Sequence, residues 1–341
     1  MEEVSVKQPG WVLEYEGKDV TTDVSPYMLD ITYTDVLEGE ADNLDISLED
    51  RDHQWKNGWW PQRSDKVRLA IGYEGEALVN CGVFQVDEVE LNGPPDAVKL
   101  RALSAGVKEA LRTLSTVAYE KKTLKQIAKE IAGKHGLTLT GNVSEEKAKR
   151  RPQRITQRNE HDLAFLRRLG KAEGVIFTVK DEQLVWHDLF LLDAAEAISR
   201  INRPDTSSYR FRVKTDQVYK ACEVRYHDPK TKKTITYTHQ AEGVKTGDTL
   251  KIYDRCESKA DAIIKAKAAL RNRNGAQVEG TISLPGAPLL AAGTNVEIVG
   301  FGVLDGIYQI IKARHTMSRG GGYKTDIDIH TTTTNSKSLE Q

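Results

Sequence analysis

The sequence has few cysteines, no long apolar run and almost no net charge. Its three cysteines, Cys81, Cys222 and Cys256, stand far apart, which fits neither a disulfide framework nor a zinc-binding spacing, and we expect buried or incidental thiols in a reducing cytoplasm. No stretch of about 18 consecutive apolar residues occurs, so we expect no membrane anchor. The net charge of −1, from 49 basic and 50 acidic side chains, argues against a polyanion-binding protein, and we expect no specific nucleic-acid binding.

The motifs of common enzyme classes are also missing. The eight histidines form no His-Glu-x-x-His motif, and His187-Asp188 lies on a predicted strand, where neighbours point to opposite faces. There is no Gly-x-Ser-x-Gly elbow and no phosphate-binding glycine loop before a helix. The glycines at 320–322 lie between two strand patterns and predict a hairpin turn. We therefore predict a protein that is not an enzyme, with no catalytic, cofactor-binding or metal-binding residues.

What the chain does contain is a repeated β pattern. Residues 64–105 and 293–331 each show an alternating strand, a short loop, a second strand, a turn rich in glycine or proline, and a closing alternating strand. The second strand begins with the same Gly-[Val/Ile]-aromatic-Gln-[Val/Ile] motif, at Gly82 and at Gly306. One chain therefore holds two similar β-modules, and a repeated module without a catalytic constellation is typical of a protein built for assembly.

Between and within the modules, four segments show helical periodicity. They are residues 107–114; residues 124–131, behind the predicted N-cap Thr123; residues 163–169, between the predicted N-cap Asn159 and the helix-ending Gly174; and about 259–273, behind the predicted N-cap Ser258.

These patterns predict an α+β protein in which antiparallel strands dominate. Two similar β-barrel-like modules bracket a mixed helical and β middle segment, an order that would let the modules come together in space. We expect the first module at 1–105, the middle α+β domain at 106–204, the second module at 205–334 with a helical insertion at about 257–274, and a flexible tail at 335–341.

Two features leave other interpretations open. Asp50, Asp52 and His53 precede three tryptophans, Trp55, Trp59 and Trp60, which could form a sugar site with acidic catalysts. An aromatic cluster that closes a barrel end or a subunit contact explains the same residues. The basic run at 147–158 could contact nucleic acid, although it has no interleaved aromatic residues; a solvated loop, or a rim that faces an acidic neighbouring protein, explains it too.

Three segments, in this order, resemble the phage late control gene D protein family. They are residues 52–61 followed by 81–96; residues 157–174, which contain Asn159-Glu160-His161-Asp162 and Phe165-Leu166; and residues 280–286 followed by 300–308 and 315–325. Together they cover most of the chain.

Members of this family are baseplate hub proteins of contractile tails, related to the hub of T-even phages and to the N-terminal part of VgrG spike proteins. The resemblance implies a homotrimeric ring with pseudo-six-fold symmetry that encloses the central channel and adapts the six-fold tail tube to the three-fold spike. The implied partners are a trimeric tail spike protein, the tail tube protein, baseplate wedge proteins and the tape-measure protein. The implied location is the tail baseplate of a virion or phage-tail-like particle, after synthesis in the bacterial cytoplasm. A tail-associated protein that degrades or binds cell wall is the alternative.

Overall fold

The computed structural model describes most of the chain, and strands dominate it. The described residues are 7–106, 114–214, 218–228, 232–244, 246–254, 256–275 and 277–332. The predicted helix at 107–113 and the predicted flexible tail lie outside them.

The strands, in chain order, are β1 (Pro9–Tyr15), β2 (Lys18–Asp19), β3 (Met28–Val36), β4 (Asn43–Glu49), β5 (Lys66–Tyr73), β6 (Val79–Asn92), β7 (Ala97–Ser104), β8 (Leu114–Glu120), β9 (Thr138–Thr140), β10 (Arg154–His161), β11 (Val175–Lys180), β12 (Gln183–Asp188), β13 (Ala197–Asn202), β14 (Ser208–Val213), β15 (Tyr219–Asp228), β16 (Lys233–Gln240), β17 (Asp248–Tyr253), β18 (Val278–Pro285), β19 (Asn295–Val299), β20 (Gly306–Ser318) and β21 (Gly322–Thr331). The α-helices are α1 (Thr21–Val24), α2 (Leu124–Lys134), α3 (Glu145–Lys149), α4 (Asp162–Glu173), α5 (Leu189–Asp193) and α6 (Lys259–Asn274), and short 3-10 turns lie at Ser25–Tyr27, Arg203–Asp205 and Gly302–Leu304.

One sheet of 13 strands holds both predicted modules. Its order is β14-β18-β21-β20-β3-β4-β7-β6-β5-β1-β2, and β19 pairs with β20 and with β13. All of these pairs are antiparallel except β13 with β19. Among the described residues, no strand pairing closes this order into a barrel, so a closed barrel in each module stays a prediction.

The sequence repeat is a repeat of strand pairing. The order β3-β4-β7-β6-β5 in the first module is matched by β14-β18-β21-β20-β19 in the second. The central hairpins even share a bulge, because the register shifts after Val86 in β6 and after Ile310 in β20, four residues beyond the shared glycine in each copy. A bulge at the same place bends both strands in the same way, so the two modules share both a strand order and a strand bend.

The two modules meet through β3 and β20. These strands pair antiparallel from Val36 opposite Lys312 to Asp30 opposite Ser318. Met317 of β20 and Tyr323 of β21 pack into the core of the first module. The predicted approach of the two modules is therefore a shared sheet and a shared core.

The shared sheet has one apolar face and one polar face, as period-two alternation requires. An apolar row of cross-strand partners runs across both modules: Val89, Leu100, Ile46, Ile31, Met317 and Tyr323. The neighbouring row on the opposite face is polar: Glu88, Arg101, Asp45, Thr32, Thr316 and Lys324. The apolar row belongs to the core of the first module, and the polar row carries charges of both signs.

Two smaller units carry most of the helix. In one, α2 and α4 pack with the three-stranded sheet β11-β12-β9 around Phe165, Phe177 and Trp186. In the other, α6 packs on the sheet β16-β15-β17 around Cys222, Val224 and the thiol of Cys256. β15 and β16 thus pair in this separate sheet and not in the large one.

Most predicted helix signals are confirmed. Thr123 and Gln126 form a reciprocal capping box at α2, Ser258 accepts a hydrogen bond from the amide of Asp261 at α6, and Gly174 ends α4 in the left-handed conformation. The prediction for Asn159 is wrong: α4 begins at Asp162, and Asn159 lies at an irregular position of β10 with a φ of +48°. Leu114 begins β8 instead of continuing a helix.

We expect Gly82→Val to destabilise the first module. Gly82 follows the bulged Cys81 with a φ of +96°, and Gly306 has a φ of +149° at the matching position. A β-branched residue is strained in that region, so each valine should cost about 1–3 kcal/mol of unfolding free energy. Thermal unfolding measures this, with Gly58→Val as control because Gly58 has an ordinary φ and a Cβ atom added there would meet no other atom within 4 Å. Wild-type melting temperatures in both Gly82 and Gly306 variants would contradict the role.

Candidate assembly surfaces

Several strand edges of the large sheet, β13 and most of β1 among them, lack a partner strand within the described part of the chain, and two further edges of this kind carry like charges at alternating positions. The first is β14, which pairs with β18 on one side only. The second is the distal β6 edge (residues 88–92), where β7 lies on one side and the pairing of β6 with β5 has already ended, at Gln85 opposite Lys66. Such edges present unpaired amide and carbonyl groups and are templates for pairing with another chain.

The two edges carry opposite charge. Arg210 and Arg212 of β14 are exposed, and Lys214 follows directly. Glu88 and Glu90 of β6 are exposed as well. Tyr209 and Val213 alternate with the arginines and are 44% and 46% exposed, and Leu91 alternates with the glutamates and is 46% exposed. Each edge therefore combines a charged face with a partly exposed apolar face.

The aspartates and tryptophans of the predicted sugar site lie together, but their geometry does not suit catalysis. Asp50 is 1% exposed, and its Oδ1 accepts a hydrogen bond from the amide of Trp55 at 2.9 Å. Asp52 is exposed and accepts a hydrogen bond from the Tyr27 hydroxyl at 2.8 Å. A buried carboxylate that holds a backbone amide fixes the loop before β5 and is not placed to attack a bound sugar. The expected absence of catalytic residues stays a prediction.

Two of the three tryptophans, Trp55 and Trp59, form an edge-to-face cluster with Tyr27. The Trp55 and Trp59 rings lie 5.3 Å apart at 80°, and Tyr27 meets both rings at similar angles. Trp55 is buried, whereas Trp59 and Trp60 are exposed. This geometry is typical of a packed cluster with a free outer surface, and it supports the interpretation as a barrel end or subunit contact more than a flat sugar platform.

One group of side chains has the residue types of a metal site. Asp50, His53 and Asp96 each offer an atom within 4.8 Å of the others. The ammonium of Lys56 lies 2.6 Å from Asp96 Oδ2, and this contact holds the pKa of Asp96 below its usual range. Lys56 thus supplies positive charge to this group, and the prediction that the chain holds no metal stays a prediction.

The basic run at 147–158 combines two cations that are paired inside the chain with four that are exposed. It comprises the end of α3, a loop at 150–153 and the start of β10. Lys147 is buried with its Nζ 2.6 Å from Asp188 Oδ1, and burial lowers its pKa. Arg150 bridges Glu173 of α4 and Asp261 of α6, the latter at 2.5 Å. Lys147 and Arg150 therefore connect structural units, whereas Lys149, Arg151, Arg154 and Arg158 are exposed. The expected absence of specific nucleic-acid binding stays a prediction.

Two buried ionic clusters hold the units against the large sheet. Lys180 of β11 contacts Asp35, and its Nζ lies 3.2 Å from Asp42 Oδ2. Burial raises the pKa of Asp42 to about 6 despite the nearby ammonium. The other Asp35 oxygen accepts a hydrogen bond at 2.7 Å from the amide of Ala292, in the second module. Asp35 therefore ties β3, the middle unit and the second module together.

The second cluster centres on Arg271 of α6. Its Nη2 lies 2.7 Å from Asp193 Oδ1 and 3.1 Å from Gln309 Oε1, and its Nε lies 3.0 Å from Asp193 Oδ2. His330 Nε2 is 3.2 Å from the same Gln309 oxygen, and burial followed by the charge of Arg271 lowers the pKa of His330 to about 4. One guanidinium thus joins α6, the end of α5 and the central strands of the second module.

Sequence reasoning missed the two edges and both ionic clusters. The edges had a readable signal, since acidic residues alternate at 88–90 and basic residues alternate at 210–214. The clusters had none, because a lysine or an arginine looks the same in a sequence whether it is buried or exposed. No helix in the described ranges is both long and apolar enough to cross a membrane.

Comparison with known proteins gives the family. Residues 66–321 match the family model described as phage tail baseplate hub (GPD). The probable baseplate hub protein of Escherichia phage 186 is 32% identical over 196 residues, which cover 58% of this chain and 48% of that protein. The chain spans about half the length of the phage relatives that it matches.

Two solved structures share the fold. The 43 kDa tail protein of prophage MuSo2 from Shewanella oneidensis aligns over 95% of this chain and 99% of its own, with a TM-score of 0.72 and 16% identity. The E. coli c3393 protein, described as a type VI secretion component similar to T4 phage tail proteins gp27 and gp5, aligns over 89% and 73% with a TM-score of 0.58 and 12% identity. With a family match over most of its length and a tail-protein fold, the chain belongs to the phage tail baseplate hub family.

Proposed function

We propose that this protein is a structural hub of a contractile phage tail or phage-tail-like particle, and that three copies form a ring of six similar modules. The observation that carries the proposal is the internal repeat, because two modules with one strand order and one bulge position share a single sheet. A chain with two equivalent modules needs only three copies to present a six-fold pattern. The same ring has true three-fold symmetry, which suits a trimeric spike.

The ring closes by contacts between different surfaces of successive copies. Head-to-tail contacts of this kind form a closed ring when the rotation between copies closes, and they can cover sheet edges that a single copy leaves open. The polar face of the sheet, with its row from Glu88 to Lys324, would line the channel because the apolar face is already covered by the core. The row carries both signs of charge, so the wall would be hydrated without binding a polyanion tightly.

The proposed partners are the trimeric tail spike, the tail tube protein, baseplate wedge proteins and the tape-measure protein. The proposed role is structural and not enzymatic, which agrees with the burial of Asp50. Three bodies follow from the proposal: a first hub module, a middle domain held by Lys180, and a second hub module from which the α6 unit projects.

The mass of the purified protein in solution tests this function. Light scattering on a sizing column should give three times the chain mass of 38.1 kDa, either for the protein alone or for its share of a three-to-three complex with its spike. Electron micrographs of the ring should show three-fold averages with six similar lobes. A protein that stays monomeric with and without its spike, or that is absent from purified tails, would overturn the proposal.

A further inference from the structure

We propose that the ring closes by strand pairing, with β14 of one copy added antiparallel to the distal β6 edge of the next copy. The inference rests on the proposed ring, and it names the surfaces and the register of the contact. The partner is a second copy of this chain. The template for the contact lies within the chain itself, at the junction of its two modules.

The internal junction shows how one module joins the next. In the second module, β19 pairs with β20 only as far as Gln309, and the rest of that side of β20 is filled by β3 of the first module, from Lys312 onward. Within its own module β3 pairs only with β4, so it is the outermost strand of that module. At the junction, β3, the outermost strand of the first module, therefore pairs with the half of β20 that β19 leaves unpaired.

The same two elements recur without a partner strand in the described chain. The equivalent of β3 is β14, which pairs with β18 as β3 pairs with β4. The equivalent of the distal half of β20 is the distal β6 edge, where β5 has ended and β7 covers the other side. If the internal junction is repeated between copies, β14 of one copy pairs with the distal β6 edge of the next. Three such contacts pair all the β14 edges and all the distal β6 edges of the ring.

The repeat also fixes the register. The shared motif aligns Gly82 with Gly306, so Glu90 corresponds to Arg314 of β20. Stepping through the ladder from β21 to β18 and from β7 to β4 aligns Arg212 of β14 with Thr34 of β3. Because Thr34 lies opposite Arg314 in the internal junction, Arg212 lies opposite Glu90 in the proposed one. The full set of opposed residues is Lys214 with Glu88, Val213 with Val89, Arg212 with Glu90, Phe211 with Leu91, and Arg210 with Asn92.

This register follows from backbone pairing alone, and the side chains that it places opposite each other are complementary in charge and polarity. On the polar face Glu90 meets Arg212, and Glu88 meets Lys214, whose Nζ also lies 2.6 Å from Glu279 Oε1 of its own copy. Two apolar pairs meet on the other face. Val89 packs against the core of the first module and Phe211 against the core of the second, so the apolar pairs would join two existing cores. A slip by one residue would set glutamates against apolar side chains and reverse every face, so the register is strongly specified.

Charge reversal tests the contact. Glu90→Arg and Arg212→Glu should each raise the protein concentration at which half of the trimer forms by about tenfold or more, since like charges then oppose each other at three contacts per ring. The double variant Glu90→Arg with Arg212→Glu restores opposite charges and should return the concentration to within about threefold of the wild type. Glu74→Arg, at an exposed turn away from both edges, is the matched control and should assemble normally.

Cysteine cross-linking tests the register. Opposed residues of an antiparallel pair have Cα atoms about 4.5–5.5 Å apart, within the range that a disulfide spans. Val89→Cys with Val213→Cys should therefore give a covalent trimer when copper phenanthroline oxidises the two thiols of each pair. Val89→Cys with Arg212→Cys places the thiols on opposite faces and should cross-link little, as should each single variant.

The outcomes separate this inference from the function on which it rests. A wild-type protein that never forms a trimer overturns the proposed function and this contact with it. A wild-type trimer that tolerates both charge reversals, or that cross-links equally at the slipped pair, overturns the contact and leaves the ring intact. Loss of trimer in both single variants, recovery in the double variant and cross-linking at 89 with 213 alone establish the pairing.

Discussion

Lys180→Met is expected to lower the unfolding free energy by about 3 kcal/mol, the lower end of the cost of breaking a buried ion pair. The variant removes the ammonium that faces Asp35 and Asp42 and leaves two carboxylates together at the junction. Asp35 and Asp42 are almost fully buried, and Lys180 is about a quarter exposed, so solvent offsets part of the loss. Chemical denaturation at pH 8 measures the change.

The cost of Lys180→Met should depend on pH in a defined direction. The pKa of Asp42 is about 6 in the folded protein and about 3.9 in an unfolded chain. Its contribution to stability is therefore complete below about pH 4 and is lost as the pH rises through about 6. At pH 5 the variant keeps Asp42 protonated and tolerates the missing ammonium better, so the destabilisation should be smaller than at pH 8.

Two controls sharpen this prediction. Asp42→Asn keeps an oxygen for the amide of Val36, which donates to Asp42 Oδ1 at 2.9 Å, and removes the titrating group. Its unfolding free energy should change less between pH 4 and pH 7 than that of the wild type. Lys66→Met removes an exposed ion pair with Glu182 and should cost less than about 1 kcal/mol. Equal losses in Lys180→Met at pH 5 and pH 8 would contradict the assignment of the penalty to a carboxylate at this junction.

Local patterns in the sequence were sufficient for the strands and for the family. Alternation predicted strands within 64–105 and 293–331, and the shared motif at Gly82 and Gly306 predicted two similar hairpins. The pairing of β3 with β20 could not be predicted from the sequence. An alternating strand has two edges, and the sequence does not show which distant strand pairs with either edge. Asn159 was misassigned because asparagine suits both an N-cap and a positive φ, and only the tertiary structure decides between them.

The assembly surfaces show the same division between local and distant information. The alternating glutamates of β6 and arginines of β14 are visible in the sequence, but their meaning depends on the strand order and on the shared bulge. Given the strand order, the internal repeat determines the register of β14 against β6. The ionic clusters depend wholly on tertiary structure, since Lys180 and Arg271 each meet partners far away in the chain.

Arg271→Met should have the largest effect of any single substitution considered, a loss of about 3–5 kcal/mol in unfolding free energy. The guanidinium and Asp193 are both buried, and the variant removes the guanidinium that contacts both Asp193 and Gln309. Arg273→Met, on an exposed face of the same helix, should cost less than about 0.5 kcal/mol. Arg271→Met with Asp193→Leu should lose clearly less than the two single losses combined, because it leaves no uncompensated charge.

The same variant should change the acid sensitivity of the protein. His330 is held neutral in the fold by burial and by the charge of Arg271, with a pKa of about 4. A histidine with a lowered pKa contributes stability above about pH 6.5 that is lost as the pH falls towards 4, because the unfolded chain takes up the proton first. Removing Arg271 allows His330 to accept a proton at higher pH, so Arg271→Met should lose less additional stability between pH 7 and pH 5 than the wild type does. Equal slopes in the two proteins would show that burial alone sets the charge of His330, whereas a shallower slope in the variant would make Arg271 the residue that couples α6 to the central strands of the second module.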